Sequence, residues 1–238
     1  MSEILKINNL WGGYKEGVDI LRGISMEVQQ GEAVGIIGLN GSGKSTFGKA
    51  IMNMIPIRKG EIVFEGEDIT SLSTSQLSYR GISIMQQGGR VFPNLSVWDN
   101  LQLAVQANNC QFSTVNSQLI ELVPLLQRSK RELQHLMADK LSGGQKHQLS
   151  LAMTLSSNPR LVILDEPSAG LSPKSLEEMY GILRTIRKSL TLTIILIEQN
   201  IAKAIRFCDE VLLFKQGSAL PIKQNDLQEI EIIMFNSK

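Results

Sequence analysis

The segment Gly38-Leu39-Asn40-Gly41-Ser42-Gly43-Lys44-Ser45, followed by Thr46, sets a lysine and two hydroxyls directly behind a glycine-rich loop. Glycines let successive main-chain N–H groups turn inward around an anion. An apolar run over 33–38 leads into the loop and a helical pattern over 44–54 follows it, so a helix N-terminus adds partial positive charge at the same place. Such a loop suits the phosphate tail of a nucleotide. Lys44 is placed to reach the β and γ phosphates, and the Ser45 hydroxyl to coordinate Mg2+. The competing reading is a glycine-rich turn with an incidental lysine; strand, loop and helix together argue against it.

Two further groups carry chemistry. Leu161-Val162-Ile163-Leu164-Asp165-Glu166 is an apolar run ending in two acids. Asp165 fits the acid that orients Mg2+ through its water shell. Glu166 is next along the chain and would point the other way if the strand continued, which suits a general base acting on water over the γ-phosphate. Alone, an Asp-Glu pair at a strand end reads as a solvated turn or helix cap; the phosphate loop reverses that preference. The third group, Leu141-Ser142-Gly143-Gly144-Gln145, opens a helical pattern. A hydroxyl and two glycines at a helix start form another anion site, although an ordinary glycine-containing cap would look the same in isolation. One nucleotide cannot easily occupy two helix starts in separate parts of one chain. A two-fold dimer solves this, each copy's 142–145 segment closing over its partner's phosphates.

The elements that must hold these residues alternate. Strand patterns at 33–38, 161–164, 192–197 and 211–214, with helical patterns at 44–54 and 175–188, predict a mostly parallel sheet with helices on its faces. Runs at 5–10, 24–28 and 61–64, separated by glycine-containing turns, predict an antiparallel β subdomain. From about 96 to 156 no strand pattern is visible. Ser96-Val97-Trp98-Asp99 reads as a capping box with Asp in the reciprocal position. A helical insertion over 89–157 therefore splits the α/β core into 1–88 and 158–238.

Composition bounds the rest. The chain has 238 residues, 42% hydrophobic and 20% charged, with 24 Lys+Arg against 23 Asp+Glu. That is one large domain or two small ones. Its apolar content excludes wholesale disorder, and its charge balance excludes attachment to nucleic acid by bulk positive potential. Cys110 and Cys208 make neither a disulfide scaffold nor a four-cysteine zinc site. His135 and His147 leave little for a metal centre and read as surface or helix histidines. No basic-then-apolar leader is visible, and no apolar run approaches the roughly 20 residues needed to span a bilayer. The expectation is a cytoplasmic protein; if it acts at a membrane, another chain does the spanning.

In order along the chain, the phosphate loop, Met85-Gln86-Gln87-Gly88, Leu141 to Gln145, Asp165-Glu166 and Ser168-Ala169-Gly170-Leu171 resemble the motif set of ATP-binding-cassette (ABC) ATPases. The resemblance covers nearly the whole chain. It implies a single domain over 1–238: a P-loop NTPase (RecA-like) α/β core with an N-terminal antiparallel β subdomain and an inserted helical subdomain. It implies ATP and Mg2+ as cofactors, held by Gly38, Asn40, Gly41, Ser42, Gly43, Lys44, Ser45 and Thr46, with Ser45, Gln87 and Asp165 toward the metal. Gln87 resembles the glutamine that touches Mg2+ or the attacking water and links the core to the helical insertion, where a membrane partner docks. Tyr14 resembles the aromatic residue that stacks on adenine. Trp11 lies close by, and either ring could stack on a base or pack in the β subdomain. Ser142, Gly143, Gly144 and Gln145 resemble the signature that closes on a partner's nucleotide in a head-to-tail dimer. The implied partners are transmembrane permease subunits and a second ATP-binding subunit, identical or related, but no nucleic acid. The implied place is the inner face of the membrane.

The departures from the family pattern are informative. Ile197-Glu198-Gln199-Asn200 puts Gln199 where the family usually carries a switch histidine. Glutamine can hydrogen-bond a γ-phosphate but carries no proton at neutral pH, so catalysis centres on Glu166. Ser172 stands where many members carry Asp. Together with 89–97 (Gly-Arg-Val-Phe-Pro-Asn-Leu-Ser-Val) and 168–173, these features resemble the second ATP-binding subunit of branched-chain amino-acid importers, a pattern shared with related urea and amide importers. The stretch 134–140 lacks the Gly-Glu element common in exporters. Met153 and Thr154 replace a usual Arg-Ala pair. After Gly217 the tail follows the family poorly and reads as an edge strand plus helix, or as partly disordered. Two other functions compete. An ABC ATPase working on nucleic acid or ribosomes would carry two cassettes or long coiled-coil insertions. A non-hydrolysing regulatory module is kept open by Gln199 and opposed by Glu166.

Overall fold

A computed structural model describes residues 2–107 and 117–222. They divide into two compact units, one built from the chain up to residue 77 and again from 193, the other from 78–192.

The first unit opens with β1 (Glu3–Gly12), β2 (Leu21–Gln29), β3 (Ala33–Gly38), α1 (Lys44–Ile51), β4 (Ile57–Phe64) and β5 (Glu67–Asp68), and α2 (Thr74–Tyr79) carries the chain out of it. On β2, Leu21, Ile24, Met26 and Val28 turn inward while their neighbours face out. That alternation is what a half-buried antiparallel sheet requires. β1 lies between β2 and β4, with Leu5 opposite both Val28 and Phe64, and β5 pairs with β4. β3 is different: all of Ala-Val-Gly-Ile-Ile-Gly is buried, the mark of a parallel strand covered on both faces.

The helical pattern through 54 stops early, at Ile51. Asn53 turns left-handed with φ 50°, and the Met54 N–H reaches back 2.8 Å to the Lys49 carbonyl, the 6→1 bond of a Schellman closure. The Asn53 side-chain amide donates to the Leu72 carbonyl at 2.7 Å.

The second unit runs β6 (Ile82–Met85), α3 (Val97–Ala107), α4 (Ser117–Leu122), α5 (Lys130–His135), α6 (Gly143–Leu155), β7 (Leu161–Asp165) and α7 (Pro173–Leu190). β6 and β7 are parallel, Met85 opposite Leu164. Among the described residues of 89–157 the elements are helical. The α3 cap differs from a standard box. Ser96 Oγ accepts the Asp99 N–H, and its own proton goes to the Asp99 carboxylate at 2.7 Å. Asn100, on the buried face of α3, is wholly enclosed. It stitches the preceding segment: Oδ1 accepts the Phe92 N–H at 2.8 Å, and Nδ2 donates to the carbonyls of Phe92 at 3.0 Å and Ser96 at 2.9 Å.

The chain then completes the first unit with β8 (Thr193–Glu198), α8 (Ile201–Phe207), β9 (Glu210–Lys215) and β10 (Ser218–Ile222). β3 sits between β8 and β9, parallel to both, Ile36 facing Ile197 and Leu212. α1 packs on this sheet through Phe47, whose ring meets Phe214 of β9 at a centroid distance of 5.2 Å. Burying a ring of that size contributes about 1.5–3 kcal/mol. β10 pairs antiparallel with β9, so the tail beyond Gly217 begins as an edge strand; 223–238 lie outside the described residues. Cys208 is buried, with its Sγ against Gly35 of β3; Cys110 lies outside the described residues. Among the described residues, no helix is long and apolar enough to cross a membrane.

Candidate functional site

In the first unit β3 ends at Gly38 and α1 starts at Lys44, so the intervening residues run as an open loop. Gly38 passes so close to β9 that a Cβ there would lie 2.4 Å from the Phe214 carbonyl oxygen; only glycine fits. No side chain caps α1, because its N-cap is Gly43, and helix starts of this kind attract anions. Ser42 Oγ is buried without a hydrogen-bond partner, and a phosphate oxygen would supply one. Lys44 is 4% exposed. Its Nζ donates to the carbonyls of Gly38 at 2.8 Å and Leu39 at 3.0 Å, bonds it can exchange for phosphate. Ser45 and buried Thr46 follow in the first turn, while Asn40 and Gly41 stand exposed at the loop tip. An orphaned hydroxyl, a folded-in cation and an uncapped helix start fit the tail of a nucleoside triphosphate.

Tyr14 stands on the connection between β1 and β2. Arg58 of β4 holds that connection, donating to the carbonyls of Val18 at 3.1 Å and Lys15 and pairing with the Asp19 carboxylate. Tyr14 is half-exposed. Lys49 of α1 donates to its hydroxyl at 3.4 Å, with Nζ 5.6 Å from the ring centroid. Trp11 sits within β1. Its indole N–H donates to Asn9 Oδ1 at 2.9 Å, and Lys59 of β4 lies 5.8 Å from its ring centroid. The two rings are thus separated: Tyr14 lies against the helix that starts at the phosphate loop, Trp11 against its own sheet. Gln199 follows β8. Because Ile37 faces Glu198 across the parallel pair, Gln199 comes level with Gly38 at the root of the loop.

The second unit holds the acids. Met85 opposite Leu164 fixes an offset that also brings Gln87 level with Glu166, and Gln87 Nε2 donates to Glu166 Oε2 at 2.5 Å. The expectation that Glu166 is turned by strand alternation is corrected here. β7 ends at Asp165, and Glu166 adopts a left-handed backbone with φ 49°, so a turn, not a pleat, aims its side chain. For a residue with a Cβ that conformation costs about 1–3 kcal/mol, and such strain collects at functional sites. Asp165 and Glu166 are both buried.

Ser142, at the start of α6, forms a complete capping box. Its Oγ accepts the Gln145 N–H at 3.3 Å, and Gln145 Oε1 accepts the Ser142 N–H at 3.0 Å. The segment is therefore a real cap, and it also leaves Ser142 and Gly143 exposed. A cavity of about 320 Å3 opens beside it, lined by Ser142, Gly144, Gln145, Gln148, Ser175 and Glu178. Ser172, in the place often held by Asp, caps α7 by accepting the Ser175 N–H at 3.3 Å.

Sequence reasoning missed Arg58, Lys49 and Asn100. Arg58 and Lys49 give no local signal, because their partners are remote along the chain. Asn100 left one: it falls at helical spacing from Val97 and Leu101, where an apolar residue belongs.

A model of the family described as "ABC transporter" matches residues 21–169. The chain is 31% identical to the high-affinity branched-chain amino acid transport ATP-binding protein BraG of Pseudomonas aeruginosa, over 86% of each protein. It is 32% identical to a probable branched-chain amino acid transport ATP-binding protein, LivF, of Archaeoglobus fulgidus, over 90% of this chain and 89% of that one. It is 30% identical to the lipopolysaccharide export system ATP-binding protein LptB of Escherichia coli, over 90% and 87%. Among solved structures it resembles cbiO1 of Clostridium perfringens, part of an ABC transporter complex, with a TM-score of 0.82 and 26% identity over 98% of this chain and 93% of that one.

Proposed function

From its membership of the ABC transporter family, to which this chain belongs as an ATP-hydrolysing subunit, we propose that it drives import of a branched-chain amino acid or a related small polar solute through separate permease chains. The observation that carries the hydrolytic part is the buried Glu166 carboxylate, set on a left-handed turn and hydrogen-bonded by Gln87. The Glu198-Gln199-Asn200 ending and the likeness to BraG and LivF support the importer reading. LptB belongs to an export system at nearly the same identity, so direction and solute rest on the permease.

In this reading Lys44 neutralises charge on the β and γ phosphates, and the main-chain N–H groups of 41–46 cradle them. Ser45, Asp165 and Gln87 are the residues that would hold Mg2+, and when bound it would supply positive charge to the phosphoryl oxygens. Glu166 takes a proton from the attacking water. That oxygen bonds to the γ-phosphorus as the bridging P–O bond breaks, giving ADP and phosphate. Gln199 donates a hydrogen bond to the γ-phosphate and moves no proton. Each copy's Ser142–Gln145 face closes on the other's nucleotide, so ATP holds the dimer and hydrolysis frees it. Without ATP the chain is mainly monomeric, since two like-signed helix ends face each other uncompensated.

Purification from native membranes tests the proposal. A polytopic permease should copurify, and its transported solute should stimulate Mg2+-dependent ATP turnover. Failure to recover any membrane-spanning partner sinks the transport role; stimulation only by lipid-like substrates sinks the importer reading. The base-binding role has its own test. Tyr14→Ala should raise the Kd for ATP about tenfold, since base–aromatic stacking is worth about 1–3 kcal/mol, and Tyr14→Trp should restore it. Unchanged affinity moves the role to Trp11.

A further inference from the structure

Among the described residues of helix α6, His147 is the buried polar side chain with an atom left without a hydrogen-bond partner. His147 is 6% exposed. Its Nδ1 lies 3.0 Å from the Gly143 carbonyl oxygen. A carbonyl only accepts, so Nδ1 carries the proton, and in that tautomer Nε2 is left as a bare acceptor. Nε2 is buried and has no hydrogen-bond partner. An apolar side chain would fill this volume without leaving a polar atom unmatched, so the ring's polarity needs a reason.

Its neighbour in space supplies one. Gly89 is buried, although Gln87 and Gly88 before it are exposed. A Cβ on Gly89 would lie 2.9 Å from His147 Nδ1, 3.0 Å from Cγ and 3.2 Å from Cα. The backbone of the loop after β6 therefore rests directly on the imidazole, with Gly89 at φ +56°, where a Cβ would be both strained and in collision. Two residues upstream, Gln87 donates to Glu166. One ring thus touches the Gly143 carbonyl in the first turn of α6 and the loop that presents Gln87 to the base.

We propose that His147 is a positioning residue for hydrolysis. By holding Gly89 against the start of α6 it sets where Gln87 meets Glu166, and its idle Nε2 accepts a donor when the loop shifts in the nucleotide-loaded state. The inference rests on Glu166 being the base. A displacement of about 1 Å at such a contact is enough to cost on the order of 100-fold in rate.

The test has a structural and a kinetic arm, both on the full chain. The protein holds just two histidines, so selective ring 15N labelling gives two sets of signals, with His135 assigned through His135→Gln. His147 should show the Nδ1–H tautomer, and its Nε2 signal should move toward the hydrogen-bonded range when Mg-ATP is added to the Glu166→Gln variant. A His147 Nε2 signal that stays put, or an Nε2–H tautomer, overturns the proposal. Kinetically, His147→Phe keeps a ring and loses both nitrogens, and Gly89→Ala breaks the same contact from the loop side. Each should lower kcat about tenfold or more with the Kd for ATP within about twofold, and should speed hydrogen exchange of the 86–92 peptide. His147→Asn, which retains a donor for the Gly143 carbonyl, should recover part of the rate. Unchanged kcat and exchange in folded His147→Phe overturn the proposal, as does an equal loss of kcat and nucleotide affinity. If wild type with its permease shows no turnover at all, the reading of Glu166 has failed instead, and the tautomer and exchange data still decide whether the clamp exists.

Discussion

Glu166→Gln should bind Mg-ATP with wild-type affinity, lower kcat by about 10²–10⁴-fold, and accumulate as a dimer in light scattering. The argument starts from isostery. Glutamine keeps the length and shape of glutamate, and its Oε1 can still accept from Gln87 Nε2 where Glu166 Oε2 now does. The left-handed turn at 166 is untouched, because the strain belongs to the backbone. What disappears is the group able to take a proton from water. A loss of that size corresponds to about 3–5 kcal/mol in the barrier. Phosphate binding lies in other residues, so affinity stays. Trapping follows: if ATP holds two copies together and is no longer consumed, the dimer persists. Turnover near the wild-type rate, with only monomer in Mg-ATP, rejects Glu166 as the base.

The same residue shows where sequence is readable and where it is not. Asp165 and Glu166 were visible because an apolar run must stop somewhere, and acids at the C-terminal end of a buried strand sit where ligands bind in α/β sheets. The mechanism that aims Glu166 was not visible. Alternation along a strand is a rule about continuing strands, and β7 stops one residue too soon. The bond from Gln87 was likewise invisible as a contact, since it depends on the register of β6 against β7, and register between parallel strands is set by packing of remote segments. Local signals fared better. The Ser142 and Gln145 cap, the fully apolar β3, and the alternating β2 each follow from chemistry within a few residues. Asn100 lies between these cases: its helical phase marks it as buried, but only the fold reveals which main-chain groups it addresses. The reading of His147 as a surface or helix histidine is corrected to a buried helix position, because α6 buries a continuous run over 147–152 that no helical phase singles out.

Lys44→Ala should weaken ATP binding on the order of 100-fold, measured by calorimetry or by a fluorescent nucleotide at fixed ionic strength. Lys44 is buried, and its ammonium is already stripped of most water by the loop that holds it. Its donors reach the carbonyls of Gly38 and Leu39. When a triphosphate enters, those neutral acceptors are exchanged for charged ones, and hydrogen bonds to charged groups are worth about 1.5–3 kcal/mol each. Truncation removes that gain and leaves phosphate charge uncompensated in a partly desolvated cradle, a loss of about 2–4 kcal/mol in all, equivalent to about 30- to 1,000-fold in Kd. The variant's own stability should fall by less, because the Gly38 and Leu39 carbonyls lose one donor each and the glycine-rich loop can open to water. The contrast with Glu166→Gln is the informative part. One substitution should move Kd and abolish dimerisation by preventing loading; the other should leave Kd alone and promote dimerisation by preventing release. Affinity that survives Lys44→Ala would show that the loop's main-chain N–H groups, and not its cation, hold the phosphates.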